Sequence, residues 1–374
     1  MMRREWEYRQ PVDVHFGRGI LDSLPDAVDR LGGHKGLLVT SPSFVSRGVA
    51  GLLVDMCGGR LAAVYSGVSP NPDVTECDAC AAMLRDGGCD FVVALGGGSV
   101  IDCAKAAAAV CRADAAAAEY LGGRPLPPDV LPIIAIPTTA GTGSEVTPVS
   151  VLSDHIRGIK APLRCDGFYP RIALVDPSLT DSMSPYMTAC TGFDVLCHAI
   201  EAYWSRRHLP VCDALAVQAA RLVLDNLLRA FTEPTDTEAR DRMAEASVTA
   251  GMAFALPGTN CAHVCSYPLT GRYNIPHGEA CAMTIDNFIR LNGRKGSDRA
   301  VSLARALGYD SPEALADAVS ALKSATGMRP DLSEFHLGDA DVESLAAACM
   351  HPNMRNNPVE VTYDELLQLF RALA

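Results

Sequence analysis

Asp194 and His198 are the first pair whose types and spacing suggest chemistry. They lie in Thr191-Gly192-Phe193-Asp194-Val195-Leu196-Cys197-His198-Ala199-Ile200-Glu201, which reads as the start of a helix. A separation of four puts carboxylate and imidazole on one helix face. His263 follows, and then His277 within Ile275-Pro276-His277-Gly278. One carboxylate oxygen and three imidazole nitrogens suit Fe(II), with Zn(II) as the alternative. Taken singly, each histidine reads better as a structural residue. The chain has only 9 histidines, and the others lack comparable surroundings, so the joint pattern is what points to a metal.

A second kind of chemistry belongs to two loops. Leu95-Gly96-Gly97-Gly98-Ser99-Val100-Ile101-Asp102 joins an apolar strand pattern to a helical one. Its glycines permit a tight turn and close backbone approach, and the following helix turns its free N–H groups toward the loop. That combination can seat a pyrophosphate, with Ser99 able to cap the helix or bond a phosphate. A plain strand-to-helix turn explains the same glycines, and the loop is not the G-x-G-x-x-G fingerprint. The second loop, Ile136-Pro137-Thr138-Thr139-Ala140-Gly141-Thr142-Gly143-Ser144-Glu145-Val146-Thr147, again follows a strand and is crowded with hydroxyls and small residues. Two such loops at neighbouring strand ends suit an extended dinucleotide.

These residues need a scaffold, and the patterning supplies one. Gly36 to Thr40, Arg60 to Tyr65, Asp90 to Leu95, Leu131 to Ile136 and Ile172 to Asp176 read as buried strands. Helical windows such as Val74 to Asp86 and Val100 to Cys111 lie between them, the alternation of a parallel sheet covered by helices. After Leu179 the strands stop. Val211 to Phe231, Glu238 to Phe254, Gly278 to Leu291, Arg299 to Leu307, Pro312 to Thr326 and Tyr363 to Leu373 all read as helical. We therefore expect an α/β dinucleotide-binding domain at 1–179 and an all-helical metal-binding and catalytic domain at 180–374, joined near Asp176-Pro177-Ser178. The Ala-rich stretch Ala104 to Ala118 is expected to be helix rather than disorder.

Composition narrows the function classes. With 48% apolar and 20% charged residues, the 374-residue chain has a soluble globular profile. A net charge of -12 argues against a nucleic-acid partner, which needs clustered Lys and Arg. It leaves room for a small anion in a local cationic pocket. No apolar stretch follows Met1-Met2-Arg3-Arg4-Glu5-Trp6, so no leader is expected, and Lys105, Arg112 and Asp114 interrupt the Ala-rich stretch, so no membrane span is expected either. The 14 cysteines fall in core-like helices rather than at disulfide spacing, which points to the cytoplasm. Cys77 and Cys80 have C-x-x-C spacing, but in an Ala-rich helix they read as neighbours on one face.

The two loops, the Asp194/His198 helix, His263 and Pro276-His277-Gly278 together resemble the iron-containing (group III) alcohol dehydrogenases. The resemblance runs from Phe16-Gly17-Arg18-Gly19 to Asn356-Asn357-Pro358. It implies a two-domain, dehydroquinate-synthase-like fold with the cofactor in a cleft, often as a homodimer. It implies cofactor positions at Asn71, Gly97, Gly98, Ser99, Asp102, Thr138, Thr139, Thr142, Thr147, Lys160 and Leu179, and metal ligands at Asp194, His198, His263 and His277. The implied reaction is hydride transfer between nicotinamide and a carbonyl carbon, with the metal as Lewis acid.

Three positions depart from that family. Ser41 stands where many NAD-using members carry Asp, which favours NADPH over NADH, because a carboxylate there would repel a 2′-phosphate. Tyr267 stands where many carry a His four residues beyond the third ligand. It becomes a candidate for proton delivery, alongside His277 as a second catalytic residue, although packing explains Tyr267 equally well. Asn353 stands where some carry a Cys. Glu201-Ala202-Tyr203-Trp204-Ser205, Ser266-Tyr267-Pro268-Leu269-Thr270 and Asn356-Asn357-Pro358-Val359 resemble, more narrowly, the phosphonoacetaldehyde reductase branch, which makes 2-hydroxyethylphosphonate. A phosphonate dianion calls for arginine, and Arg206, Arg207, Arg272 and Arg355 lie near these motifs. Any one of them taken alone reads better as a solvated surface residue. The alternatives are a reductase of neutral aldehydes and a dehydroquinate-synthase-like lyase. The second would need further Lys and Arg around a cyclic acid, a pattern the chain lacks.

Overall fold

The computed structural model describes residues 5–374; Met1 to Arg4 of the leader reading lie outside them. The chain divides into two compact units. One comprises Gln10–Thr139 and Gly143–Thr180. The other comprises Asp181–Ala374 together with Ala140–Thr142 and residues 5–9.

The first unit is built on parallel strands. Among the described residues they are β1 (Asp13–Phe16), β2 (Gly36–Thr40), β3 (Leu61–Tyr65), β4 (Phe91–Gly96), β5 (Ile133–Pro137) and β8 (Ile172–Val175), in the order β1-β8-β5-β4-β2-β3. A separate antiparallel pair is formed by β6 (Val149–Asp154) and β7 (Ile159–Arg164). Strands β2, β4 and β5 are buried throughout, as central parallel strands covered on both faces must be. Side chains alternate between faces. Leu37, Val39, Val92, Ala94, Ile133 and Ala135 pack with the helices Val74–Asp86 and Gly98–Val110. Leu38, Val93, Leu95, Ile134 and Ile136 pack on the other side with Leu24, Val28 and Leu53. Cys77 and Cys80 are fully buried within the first of these layers. The five strands expected from sequence are present, shifted by a residue or two at their ends.

The Ala-rich stretch is not one helix. Gly98–Val110 ends there, and a new helix, Ala117–Leu121, starts seven residues on. Helix propensity is overridden by a tertiary contact, because Asp78 Oδ1 accepts from Ala117 N at 2.8 Å and fixes the restart. Strands β1, β6 and β7 were also not expected. The β6–β7 pair carries Ser, Asp and Pro162 and is largely exposed on β7, so it lacks the apolar run that betrays a core strand.

The second unit is helical. Its axis is Pro185–Trp204, started by Pro185 and by Ser184, whose side chain accepts from Met187 N. Around it pack Pro210–Thr232, Thr237–Phe254, Cys261–Tyr273 and His277–Arg294. Gly278 lets the last of these touch the axis, since a Cβ there would lie 1.9 Å from Cys190 O. Gly192 does the same for Leu227. Among the described residues no helix is long and apolar enough to cross a membrane.

Candidate metal centre and cofactor loop

Three helices of the second unit bring the expected ligands to one point. Asp194 and His198 come from the axis helix, His263 from the first turn of Cys261–Tyr273, and His277 is the first residue of its own helix. Around Asp194 Oδ1 lie His263 Nε2 at 3.4 Å, His277 Nε2 at 3.7 Å and His198 Nε2 at 3.8 Å. Asp194, His198 and His263 are buried, and His277 is partly exposed.

Hydrogen bonds on the far side of two rings say what faces this point. His263 Nδ1 lies 2.7 Å from Glu201 Oε2. The fully buried Glu201 carboxylate also accepts from Asn260 N at 2.7 Å and Ala262 N at 2.5 Å. A carboxylate only accepts, so Nδ1 carries the proton and Nε2 offers a lone pair to the site. Ser266 Oγ donates to His263 O and lies 3.2 Å from His277 Nδ1, which orients that ring in the same sense. Acceptors therefore face acceptors. Asp194 Oδ1 and His263 Nε2 are buried without a hydrogen-bond partner among the described residues, an arrangement that is costly unless a cation completes it. Carboxylate plus imidazole donors fit a divalent transition metal.

Burial lowers His263 and His277, but Cys281 and the carboxylates beside them outweigh it and hold both above the usual imidazole range, so the cluster draws positive charge. Burial raises the Asp194 carboxyl, but His198, His277 and His263 outweigh it and hold it well below the usual range. Burial drives His198 down to about 3, against the pull of Asp194. Its ring also stacks on Phe254 at 4.0 Å.

Sequence reading missed two participants. Glu201 stood only inside a quoted motif, yet it fixes His263. Cys281 lies four residues beyond His277, and its thiol shares a cluster with Asp194, His263 and His277, 3.9 Å from His277 Nε2. The same i,i+4 rule that paired Asp194 with His198 would have found it.

In the first unit the glycine loop caps Gly98–Val110 with no side-chain cap on Gly97. A Cβ at Gly97 would lie 3.2 Å from Thr139 Oγ1, so this backbone sits close to the second loop. Thr138 N bonds Gly96 O, joining both loops at the ends of β4 and β5. Ser99 Oγ accepts from Asn71 N at 3.2 Å, and Lys160 Nζ donates to Asn71 Oδ1 at 2.8 Å. Asn71 holds φ +56, a left-handed conformation that asparagine tolerates. Ser41 follows β2, which pairs with β4, and lies 2.9 Å from Ser43 Oγ. Asp102 is turned inward. Its oxygens accept from Ser144 Oγ at 2.5 Å and Val151 N at 2.9 Å. Thr147 is buried, and its carbonyl accepts from Lys105. Leu179 packs under the sheet beside Asp176. Thr142 belongs with the helical unit. Backbone N–H groups at a helix start, glycines, hydroxyls and one lysine fit a dinucleotide phosphate.

Three of the four candidate arginines share a neighbourhood. Arg206 N donates to Asn356 O at 2.9 Å, Arg207 Nε lies 3.5 Å from Asn356 Oδ1, and Arg355 is the next residue. Ser205 Oγ and Asn356 Nδ2 lock the junction onto Pro257 O. Arg272 is elsewhere, bonded to Ser344 Oγ at 2.9 Å. Tyr267 sits one turn beyond His263, its ring centroid 5.8 Å from that of His351; burial pushes its pKa up, with the Asn353 side chain pulling the other way.

A parallel-sheet unit with a phosphate-type helix start and a helical unit with a carboxylate–imidazole cluster define a metal-dependent dehydrogenase. Comparison with known proteins agrees. Residues 11–177 match the family model "Iron-containing alcohol dehydrogenase", and residues 188–374 match "Fe-containing alcohol dehydrogenase family, C-terminal". Long-chain-alcohol dehydrogenase 1 of Geobacillus thermodenitrificans is 38% identical over 348 residues, covering 90% of this chain and 88% of its own. Lactaldehyde reductase of Escherichia coli K12 is 32% identical, covering 95% and 96%. The crystal structure of sulfoacetaldehyde reductase from Bifidobacterium kashiwanohense, in complex with NAD+, superposes with a TM-score of 0.96 at 48% identity, covering 99% of both chains. The chain belongs to the iron-containing alcohol dehydrogenase family and is an oxidoreductase.

Proposed function

We propose that this chain is a nicotinamide-dependent reductase of a short aldehyde bearing an anionic head group, and that it converts phosphonoacetaldehyde to 2-hydroxyethylphosphonate. The observation that carries the substrate class is that three exposed arginines adjoin Asn356, Arg206 through its backbone N–H, Arg207 through its guanidinium and Arg355 as its chain neighbour. In a chain of net charge -12 these three are exposed to solvent and enter no ion pair with an acidic side chain among the described residues. An oxyanion head group would supply one, with the geometry guanidinium favours. The 48% identity to a sulfoacetaldehyde reductase supports a two-carbon aldehyde with a tetrahedral anion, and it favours sulfoacetaldehyde as the second reading.

In this reading Asp194, His198, His263 and His277 hold the metal, and Glu201 and Ser266 orient two of the rings. Asn71, Gly97, Gly98, Ser99, Thr138, Thr139 and Lys160 hold the cofactor phosphates, Asp102 and Thr147 shape their loop, and Ser41 leaves room for a 2′-phosphate. When bound, the metal contributes Lewis acidity toward a carbonyl oxygen and the nicotinamide contributes a hydride. Tyr267 adjoins Asn353 and His351, and in this reading its hydroxyl either passes a proton or shapes the pocket. We propose a cytoplasmic homodimer as the working form, to be checked by light scattering for twice the chain mass.

The test is an aldehyde panel followed by NAD(P)H absorbance: phosphonoacetaldehyde, sulfoacetaldehyde, lactaldehyde and butyraldehyde. Phosphonoacetaldehyde should show the highest kcat/KM. Replacing the anchoring arginine by Ala should remove about 1.5–3 kcal/mol of transition-state binding for the anionic aldehydes, and much less for the neutral ones. Equal or better turnover of neutral aldehydes by the wild type would overturn the reading. A preference for sulfoacetaldehyde would move it to the sulfonate.

A further inference from the structure

Lys105 is an ammonium in a place that ordinarily refuses one. It is fully buried in the helix Gly98–Val110, on the side that packs on the sheet unit's own core. Its Nζ donates to three backbone carbonyls: Ser144 O at 2.6 Å, Thr147 O at 2.8 Å and Val149 O at 2.8 Å. Ser144 Oγ at 3.0 Å and Thr147 Oγ1 at 3.4 Å complete a cage of five neutral oxygens. Glu145 is buried nearby and Asp102 half-buried, but Asp102 spends its oxygens on Ser144 Oγ and Val151 N. Burial drives the lysine down to about 8, and Asp102 and Glu145 partly counter this.

Burying a charge is costly, and a methionine would fill the same volume without that cost. What the charge achieves is geometric. Three carbonyls from residues 144, 147 and 149 are turned toward one point, where their dipoles repel unless a cation lies between them. The segment so gathered runs from the hydroxyl-rich loop into β6 and contains Thr147. Asp102, three residues before Lys105 on the same helix, grips that segment at Ser144 and Val151. The helix that presents its N-terminus at Gly97 and Gly98 thus carries two pegs for the second loop.

We propose that Lys105 is a positioning residue for the cofactor, a tethered ammonium that holds the Ser144–Val149 segment closed against the helix that receives the pyrophosphate. The proposal rests on the cofactor reading above. The oxygen cage belongs to the loop and not to the lysine, so a free cation of suitable size can take the place of the tethered one.

The experiment is chemical rescue of Lys105→Ala, with Lys105→Met as a control that fills the space without the charge. Wild type and both variants are titrated with NADPH by fluorescence and assayed for KM and kcat, with metal content measured in parallel. Both variants should bind NADPH about tenfold or more weaker, the scale of a lost charged hydrogen-bond set, with bound metal unchanged. Propylammonium or potassium should restore affinity to Lys105→Ala but not to Lys105→Met. Tetramethylammonium at equal ionic strength, whose methyl groups keep its charge too far from the carbonyls, should restore neither. Wild-type affinity in either variant overturns the proposal, as does a folded Lys105→Ala variant that no cation rescues. If Lys105→Ala does not fold, Lys105→Met decides through its NADPH affinity. A wild-type protein that binds neither NADPH nor NADH would instead remove the cofactor reading itself.

Discussion

Single residues at the metal cluster act through what they leave behind. His263→Ala or His277→Ala removes one donor from a group built around Asp194 Oδ1. Each variant should lose metal and activity while its far-UV circular dichroism stays native, because neither ring supports the parallel sheet. Full metal content with normal turnover in either would refute the ligand set. Tyr267 poses a different question, since burial raises its phenol in pKa while Asn353 pulls the other way. If it relays the proton, Tyr267→Phe should flatten the alkaline limb of the kcat–pH profile; an unchanged profile would assign it to packing. Ser41 tests cofactor choice. Ser41→Asp puts a carboxylate beside the end of β2 and should shift the kcat/KM ratio from NADPH toward NADH. A wild type that already prefers NADH would count against the assignment.

At the scale of elements, the cluster exists because two helices touch. His277 begins its helix and Gly278 follows, with the Cys190 carbonyl where a Cβ would stand. Gly278→Ala must push the His277 helix away from the Asp194 helix. Overpacking of this kind costs about 1–3 kcal/mol, and it displaces one donor relative to the others. The expected result is a lowered melting temperature together with weakened metal binding, read by titration with Co(II) or Zn(II). A variant with native metal affinity would show that the two helices adjust independently of the site. The axis helix was legible only in part. Thr191 to Glu201 read as the start of a helix, which put Asp194 and His198 on one face, but its true start at Pro185 is set by Ser184 and by packing along its whole length. Helix Cys261–Tyr273 was not expected at all, because Pro268 inside it breaks the pattern that marks a helix.

For the whole molecule, the residues proposed for the metal and those proposed for the cofactor fall in different compact units, apart from Thr142. Ligand linkage should then be regional. Stripping the metal with a chelator should raise amide exchange in Pro185–Trp204 and His277–Arg294. NADPH should slow exchange in Phe91–Gly96, Gly98–Val110 and the segment after Thr138. Hydrogen exchange with mass spectrometry reads both. Uniform protection of the chain by either ligand alone would contradict this division of roles.

The sequence by itself determined the chemistry that depends on residue type and short spacing. Asp194 with His198, the Gly96–Ser99 turn and the buried runs of β2, β4 and β5 are local patterns, and local patterns carry periodicity. Asp194, His198, His263 and His277 could be grouped by their types as a carboxylate–imidazole set, and the resemblance strengthened that grouping, but nothing local ties residue 194 to residue 277 in space. Tertiary structure decided the rest. It showed that Nε2 of three histidines faces one carboxylate oxygen, that Glu201 sets the His263 tautomer, and that Cys281 joins the group. It separated Arg272 from Arg206, Arg207 and Arg355. It also turned Asp102 inward and placed Lys105 in a cage of carbonyls. Backbone carbonyls have no identity in a sequence, so an interaction made with them becomes visible only once the chain is folded.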